Sequence, residues 1–384
     1  MDNLTHTLCG AVLAKTPLGR MTPLAPAALL LGANLPDADV VVTLFGADEA
    51  ARKAAYLLHH RGITHSLPGI VVQALLLALA IRWIERRELA RRDSAAPPFR
   101  AHLLPALCGL LTHPLLDWLN NYGVRPFLPF SGWRTYADLV FIVDPWLWLV
   151  FGGTAALAGL RTRLGHWTWG ALALAAVLFL GFHPRSPDLV RLVFPAAVAL
   201  VALARRSGVG ARRPSRVLAA GGALAAGYVA LLAVCGERAV AQVRADPALA
   251  AQFRMRSPVI ADPWSWSVAL EDATTIRWQR VGVGAAPAQG APSPAGTSAS
   301  GAFGIPVVRG LDDPRVRLAA ARPEAAAWRS FARLPFAWVE PRPGGAARVH
   351  IADARYLTHP DPESWVALPV DLTPAEVAAA SAAP

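Results

Sequence analysis

Charged residues are scarce in this chain. Of its 384 residues only 16% are Asp, Glu, Lys or Arg, whereas 54% are hydrophobic, and the mean hydropathy is +0.37. Soluble domains carry charge on about a quarter of their residues. The composition therefore indicates a membrane protein rather than a soluble enzyme.

Lysine is almost absent, because only Lys15 and Lys53 contribute to the 37 basic residues. The arginines that make up the rest lie mostly in short loops between apolar runs. A nucleic-acid-binding face would more often mix both basic residues with aromatics. The arginines are instead typical of residues that set membrane topology. We expect no nucleic-acid partner, and the sequence identifies no protein partner.

Cysteine is also rare. Cys9, Cys108 and Cys235 lie in or beside apolar stretches and form no CxxC motif, so neither a disulfide framework nor a thiolate metal site is predicted. The N-terminus lacks a basic region, and His6 interrupts its first apolar stretch. We therefore expect the first helix to be retained rather than cleaved as a signal peptide.

Long apolar runs are abundant. Crossing about 30 Å of hydrocarbon takes about 20 helical residues. Two shorter apolar stretches at 4–14 and 24–35 are separated by Thr16-Pro17-Leu18-Gly19, which predicts a hairpin and leaves open whether either stretch crosses the membrane. The fold expected is an all-α polytopic membrane domain of six to eight helices. The six long runs are 67–84, 102–119, 139–160, 167–183, 189–204 and 217–236.

Arginine-rich loops predict the orientation of these runs. The loops 85–100, 161–166 and 205–216 are all basic and fall at alternate connections. Positive loops mark the cytoplasmic side. The start of the 67–84 helix and all residues after 236 are then expected on the extracytoplasmic side.

The composition changes near residue 237, where polar residues, prolines and isolated tryptophans appear. We predict a membrane-embedded domain at 1–236 and an extracytoplasmic soluble domain at 237–384, small and either α+β or mostly β. The elements predicted in the second domain are strands at 264–268 and 346–351, a helix at 323–333 and a flexible Gly/Ala/Pro/Ser loop at 281–302.

The N-terminal hairpin carries two candidate metal ligands. His6 begins the first helix and Asp37 follows the second, so the two ends of an antiparallel hairpin bring them together. Pro36 interrupts the helix just before the carboxylate. Alternatively, His6 is a packed polar residue, and Asp37 and Asp39 form a turn at the membrane interface.

A dense histidine cluster precedes the 67–84 run. His59, His60 and His65 lie with Arg61 within seven residues. Neutral imidazole is the commonest metal ligand, and a neighbouring hydroxyl can orient it. The alternative is a solvated loop beside the membrane.

His113 and Asp117 are four residues apart near the end of the 102–119 run, so they share one helical face. Ionisable groups at such a position are costly unless they have partners. Because consecutive spans are antiparallel, Asp117 and His65 are expected at the same membrane level. A simple hydrogen bond that holds the helix end is the alternative. Asn120 and Asn121 follow, and we expect them to orient the substrate or the ligands.

Four motifs occur in order: N-x-T-H-x-L-x-G at Asn3–Gly10, L-P-D-x-D at Leu35–Asp39, H-R-G-x-T-H-S at His60–Ser66, and H-x-x-x-D-x-x-N-x-Y-G at His113–Gly123. Together they resemble the bacterial inner-membrane, metal-dependent hydrolases of the YdjM type. The resemblance covers roughly residues 1–160. It implies an inner-membrane location and metal-dependent hydrolysis.

The sequence thus favours a membrane-bound hydrolase that acts on an ester or phosphoester, with a membrane lipid as the candidate substrate, at the outer membrane–water interface. Mixed His and Asp ligands suit a divalent ion, zinc first, with manganese and iron as alternatives. Arg61 is the candidate for holding an anionic oxygen, such as that of a phosphate. Asp39 or His60 is the candidate for proton transfer or for a further metal ligand. The predicted metal ligands are His6, Asp37, His65, His113 and Asp117.

A non-catalytic protein is the main alternative. Buried His–Asp–Arg networks also join helix ends without doing chemistry, and the outer domain would then bind a partner. A transporter is less well supported, because the ionisable residues cluster at one membrane edge rather than at the midplane.

Overall fold

The computed structural model describes residues 1–90, 97–159, 162–183, 186–283 and 306–382. Most of the predicted flexible loop at 281–302 lies outside the described residues, as do parts of the loops at 85–100, 161–166 and 184–188. The chain forms two compact units, each assembled from separate stretches. The helical unit comprises Met1–Ala38, Arg61–Arg238 and Ser257–Trp266, and the mixed unit comprises Asp39–His60, Ala239–Arg256 and Ser267–Pro384.

Among the described residues, helices α1 to α10 follow one another along the chain before the C-terminal region. Two of them, α1 and α2, correspond to the predicted hairpin, and Asp2 caps α1 by accepting a 3.0 Å hydrogen bond from the backbone N–H of Thr5. The helices are α1 Asn3–Leu13, α2 Ala25–Gly32, α3 Glu49–His59, α4 Leu67–Ala90, α5 Arg100–Trp118, α6 Pro145–Gly159, α7 Arg163–Phe182, α8 Asp188–Arg206, α9 Val209–Arg212 and α10 Pro214–Arg244.

The expectation of six to eight membrane helices is wrong for the residues described. Three helices are long and apolar enough to cross a membrane, namely Leu67–Glu88, Arg163–Phe182 and Pro214–Arg244. A fourth span results if Ala25–Gly32 and Leu35–Phe45, which are bent by 50° at their junction, count as one.

The other predicted runs fail for physical reasons. Helix α6 has only 15 residues, which at 1.5 Å per residue is too short for the hydrocarbon core. Helix α8 carries an acidic residue in its first turn and two arginines in its last. Helix α5 includes two prolines, two histidines and Asp117, which lower its hydropathy.

Glycines allow α1, α2 and α5 to pack closely. A Cβ on Gly109 would lie 2.7 Å from the carbonyl oxygen of Leu29, and one on Gly32 would lie 3.0 Å from that of Ala106. A Cβ on Gly10 would lie 3.0 Å from the Cβ of Ala33. Small residues at such contacts let helix backbones approach each other. The carboxyl end of α2 is therefore held directly against α5.

In its described residues the C-terminal region contains two antiparallel sheets and four short α-helices. In the second sheet Trp338 lies opposite His350, and Val349 lies opposite Val370. The strand order is β1-β2-β3-β4 in one sheet and β5-β6-β7 in the other. The elements are α11 Pro247–Gln252, β1 Phe253–Val259, β2 Asp262–Glu271, β3 Thr275–Gly282, β4 Val307–Val308, α12 Pro314–Ala321, α13 Ala326–Phe331, β5 Pro335–Pro341, β6 Ala347–Asp353, β7 Leu368–Leu372 and α14 Pro374–Ala382.

The predicted secondary structure of this region agrees with these elements. Strand β2 covers 264–268 and β6 covers 347–351, while Pro323–Ala325 and α13 form the predicted helix. The predicted domain boundary between residues 236 and 237 stays a prediction.

Helix α3 belongs to the mixed unit. Leu57 is fully buried, and Ala54 packs against the core that β6 and β7 share with α12 and α13. Tyr56 contacts the ring of Trp365 edge-on at 5.5 Å, and Lys53 Nζ donates a 2.9 Å hydrogen bond to the carbonyl of Pro362. A segment between two N-terminal motifs therefore contributes to the core of a unit formed mainly by the C-terminal region.

The leucine pair at the end of α3 tests this packing. We expect Leu57→Ala to lower the free energy of unfolding of the mixed unit by about 2–5 kcal/mol, because it leaves a cavity in the core. The same change at Leu58, which is 40% exposed, should change it by about 0.5 kcal/mol or less. Pulse proteolysis of the purified protein across a urea series measures both, and equal shifts for the two variants would contradict the placement of α3.

Candidate metal centre

Four of the predicted ligands converge in the helical unit. The side chains of Asp37, His65, His113 and Asp117 each offer one ligand atom, and these atoms all lie within 4.8 Å of one another. Three of the side chains are buried, and Asp37 is partly buried. They come from three separate segments: the 3₁₀ segment Leu35–Phe45, the turn before α4, and the last turn of α5.

Both histidines direct Nε2 at both carboxylates. His65 Nε2 lies 3.4 Å from Asp37 Oδ1 and 3.3 Å from Asp117 Oδ2. His113 Nε2 lies 3.3 Å and 3.5 Å from the same two oxygens. These separations exceed the usual hydrogen-bond range. The four His–Asp separations are close to the distance of about 3.3 Å expected between ligand atoms that would each lie about 2.0–2.1 Å from a zinc ion.

Hydrogen bonds at the far side of each ring suit metal ligation. His113 Nδ1 is 2.7 Å from the carbonyl oxygen of Ala33. A carbonyl only accepts, so Nδ1 carries a proton, and in the neutral ring the lone pair is then on Nε2. His65 Nδ1 is 3.0 Å from the hydroxyl of Thr64. Metal-binding histidines almost always have such a partner on the other ring nitrogen.

Two polar atoms that face the centre lack hydrogen bonds to the described residues. His113 Nε2 and Asp117 Oδ2 are buried and have no hydrogen-bond partner within the part of the chain that the structure describes. Such an atom costs about 1–3 kcal/mol when it is left unsatisfied. A divalent cation between the four side chains would satisfy both atoms, so the residues present fit a metal ion.

His6 lies beside this group. Its ring stacks on that of His113 with 3.7 Å between centroids, and its Nε2 is 3.3 Å from Asp117 Oδ1. Burial lowers the pKa of His6 to about 3, so the ring is neutral at physiological pH. His6 thus contacts the oxygen of Asp117 that does not face His65 and His113.

Several contacts converge on Asp117. Its Oδ1 lies 2.9 Å from Arg61 NH2 and also contacts the α-amino group of Met1. Arg61 NH1 donates to the side-chain oxygen of Asn120 at 2.8 Å, and the guanidinium lies 4.6 Å from the ring centroid of Tyr122. Arg61 is therefore tied to the end of α5 at several points.

The backbone of Arg61 is also unusual. Its φ is 55°, a left-handed conformation that costs a non-glycine residue about 1–3 kcal/mol. The contacts to Asp117, Asn120 and Tyr122 offset that cost. The turn from Arg61 to His65 is held in the shape that directs His65 inward.

Asp39 and His60 also pair with each other, but in the mixed unit. His60 Nδ1 is 2.9 Å from Asp39 Oδ1, and the His60 ring stacks on Tyr56 with 4.8 Å between centroids. Along the chain Asp39 follows Asp37 by two residues, and His60 directly precedes Arg61.

Three participants were not found by sequence reasoning. The Ala33 carbonyl and the Met1 α-amino group are backbone groups, so no residue type in the sequence identifies them as participants. Tyr122 lies inside the fourth motif, and its place beside Arg61 gives that position a physical role.

Comparison with known proteins supports the motif-based resemblance. The family described as "YdjM inner membrane protein" matches residues 1–186, which contain all four motifs. A relative in Bacillus subtilis (strain 168), named "Uncharacterized protein YfhP", is 26% identical over 159 residues, covering 39% of this chain and 43% of the relative. The chain therefore matches less than half of that relative's length. No solved structure matches the chain.

Elemental analysis of the purified protein tests the centre. We expect about one equivalent of a divalent transition metal in the wild type, and a loss of about tenfold or more in metal affinity for His113→Ala, because the change removes one of four ligands. His166→Ala alters an exposed histidine on α7 and should leave the metal content unchanged. The site would be refuted if the wild-type protein contained no metal after purification and took up none when zinc, manganese or iron was added.

Proposed function

Because residues 1–186 match the family described as "YdjM inner membrane protein", we propose that this chain is a membrane-bound hydrolase that depends on a divalent metal ion. The proposal rests on one observation: two imidazole Nε2 atoms and two carboxylate oxygens converge within 4.8 Å. The ligands proposed are Asp37, His65, His113 and Asp117, with His6 beside them at Asp117.

Zinc is the metal proposed first, since two imidazoles and two carboxylates suit it, and manganese or iron would accept the same donors. When bound, the ion would lower the pKa of a water molecule and polarise the scissile group. The protein's own residues would orient these groups. The Ala33 carbonyl accepts from His113 Nδ1 and so favours the neutral tautomer with its lone pair on Nε2, and Arg61 holds Asp117 by its other oxygen.

Asp39 and His60 are proposed as the proton-transfer pair. A histidine whose Nδ1 is bonded to a carboxylate presents Nε2 as the atom that accepts or donates a proton. The 2.9 Å contact between His60 Nδ1 and Asp39 Oδ1 has this form. Arg61 remains our candidate for the contact with an anionic substrate oxygen, in addition to its contacts with Asp117.

The proposed substrate is an ester or phosphoester of a membrane lipid. His65 precedes by two residues the first residue of a candidate span, Leu67, so the ligand lies where a membrane helix begins. Head groups of lipids occupy this level of the bilayer. The arginine-rich loops favour the extracytoplasmic leaflet and an extracytoplasmic position for the C-terminal region.

A non-catalytic role is favoured by a different observation. Asp117 Oδ1 contacts two cationic groups, the guanidinium of Arg61 and the α-amino group of Met1. These contacts compensate the buried carboxylate without any metal. A purely structural network, with a partner-binding C-terminal region, would look the same at this oxygen but would bind no ion.

Turnover measurements separate the two functions. Protein in nanodiscs is incubated with phospholipids and with lipid esters, and released head groups and fatty acids are quantified. We expect Asp117→Asn to lower turnover by about 100-fold or more, because the substitution removes a ligand charge. A chelator should abolish turnover, and the divalent ion should restore it.

The matched control is Asp188→Asn, the same substitution at an exposed residue of α8, which should leave turnover unchanged. Stoichiometric metal in the wild type with no hydrolysis of any tested lipid would favour the structural role instead.

A further inference from the structure

A rigid loop follows the fourth motif. Val124 and Thr135 exchange two backbone hydrogen bonds of 3.0 and 2.9 Å, and Trp118 Nε1 donates to the Thr135 hydroxyl at 3.2 Å. Gly123 has a φ of 75°, and a Cβ there would lie 2.4 Å from the ring of Tyr136. The base of the loop is therefore closed tightly against the end of α5, the helix that carries Asp117.

The tip of the same loop is aromatic and exposed. Phe127 is 47% exposed, Phe130 is 85% exposed and Trp133 is 56% exposed. The rings of Phe127 and Trp133 stack with 5.9 Å between centroids. The segment 126–133 contains no charged residue. These three residues form the aromatic tip, and exposed apolar patches mark surfaces that interact with proteins or membranes.

The loop that carries the aromatic tip is attached to the start of a candidate membrane span. The backbone N–H of Leu67 donates a 2.9 Å hydrogen bond to the carbonyl of Pro126. Leu67 is the first residue of the candidate span Leu67–Glu88. Further along this helix Val72 and Leu76 are exposed, as the surface of a membrane helix that faces lipid would be. The loop is thus attached where the apolar surface of a span begins.

We propose that the aromatic tip inserts into the interfacial layer of the lipid leaflet at the amino-terminal end of α4. Tryptophan is enriched at this layer, and exposed phenylalanine is stabilised by burial at the boundary between head groups and acyl chains. Because the base of the loop continues directly from the motif that contains Asp117 and Asn120, insertion holds this end of the helical unit against the lipid surface.

A fluorescent probe at the tip tests the insertion directly. Phe130→Cys is made in a background with Cys9→Ala, Cys108→Ala and Cys235→Ala, labelled with the environment-sensitive dye NBD, and placed in phosphatidylcholine nanodiscs. We expect nitroxide-labelled phospholipid to quench the probe strongly and aqueous iodide to quench it weakly. Ala273→Cys, in the exposed turn between β2 and β3, is the control, and iodide should quench it.

Two outcomes would overturn the proposal. Strong quenching of the Phe130→Cys probe by iodide, without an effect of the nitroxide lipid, would place the tip in water. Protection from both quenchers, together with cross-linking that rises with protein concentration, would show that a second copy of the chain covers the tip.

A second measurement, which rests on the proposed hydrolysis, asks what the insertion does for the centre. The variant Phe127→Ser/Phe130→Ser/Trp133→Ser should retain wild-type metal content. Its turnover of bilayer-embedded lipid should fall relative to its turnover of a short-chain soluble analogue. Equal loss on both substrates would reject a role in lipid access. If the wild type hydrolyses neither substrate, the proposed function fails, and the quenching experiment still decides whether the tip is inserted.

Discussion

A buried carboxylate, that of Asp117, is the constraint around which the helical unit is organised. Removing an ionised carboxylate from water costs several kcal/mol unless opposite charges or metal ions compensate it. Here Oδ1 contacts Arg61, His6 and the α-amino group of Met1, whereas Oδ2 faces His65 and His113. The two oxygens therefore have different surroundings. One is compensated by the protein itself, and the other faces the position where the ligand atoms converge.

Close helix packing determines the chemistry of that position. Gly109 and Gly32 let α2 approach α5 at backbone distance, and this brings the Ala33 carbonyl to His113 Nδ1. The carbonyl in turn fixes which ring nitrogen keeps the lone pair. A side chain at either glycine would separate the helices and release the histidine from this bond. Residues without functional groups thus decide the protonation of a candidate ligand.

Each of the two compact units is assembled from separate stretches of the chain. Helix α3 packs in the mixed unit, although Asp37 lies before it in the sequence and Arg61 lies after it. The mixed unit therefore contains the segment whose two ends continue into the candidate metal centre. Hydropathy cannot reveal that α3 packs in the mixed unit, because its apolar residues would suit packing against a sheet as well as contact with lipid. The number of membrane helices was overestimated for a separate reason. Helix α6 is too short to span a bilayer, and helix α8 carries too many charged residues.

The sequence by itself determined which residue types are available and where they lie along the chain. The positions of His65, His113 and Asp117 at the ends of apolar helices were sufficient to predict a shared site, because antiparallel helices bring alternate ends together and unpartnered charges are costly there. Only the tertiary structure decided the contacts within that site. It tied Arg61 to Asp117 and set His6 beside the four converging ligands rather than among them, and separately, in the mixed unit, it paired Asp39 with His60. These outcomes depend on distances between residues far apart in sequence, which backbone turns and close helix packing set to within an ångström, and no residue pattern encodes such distances.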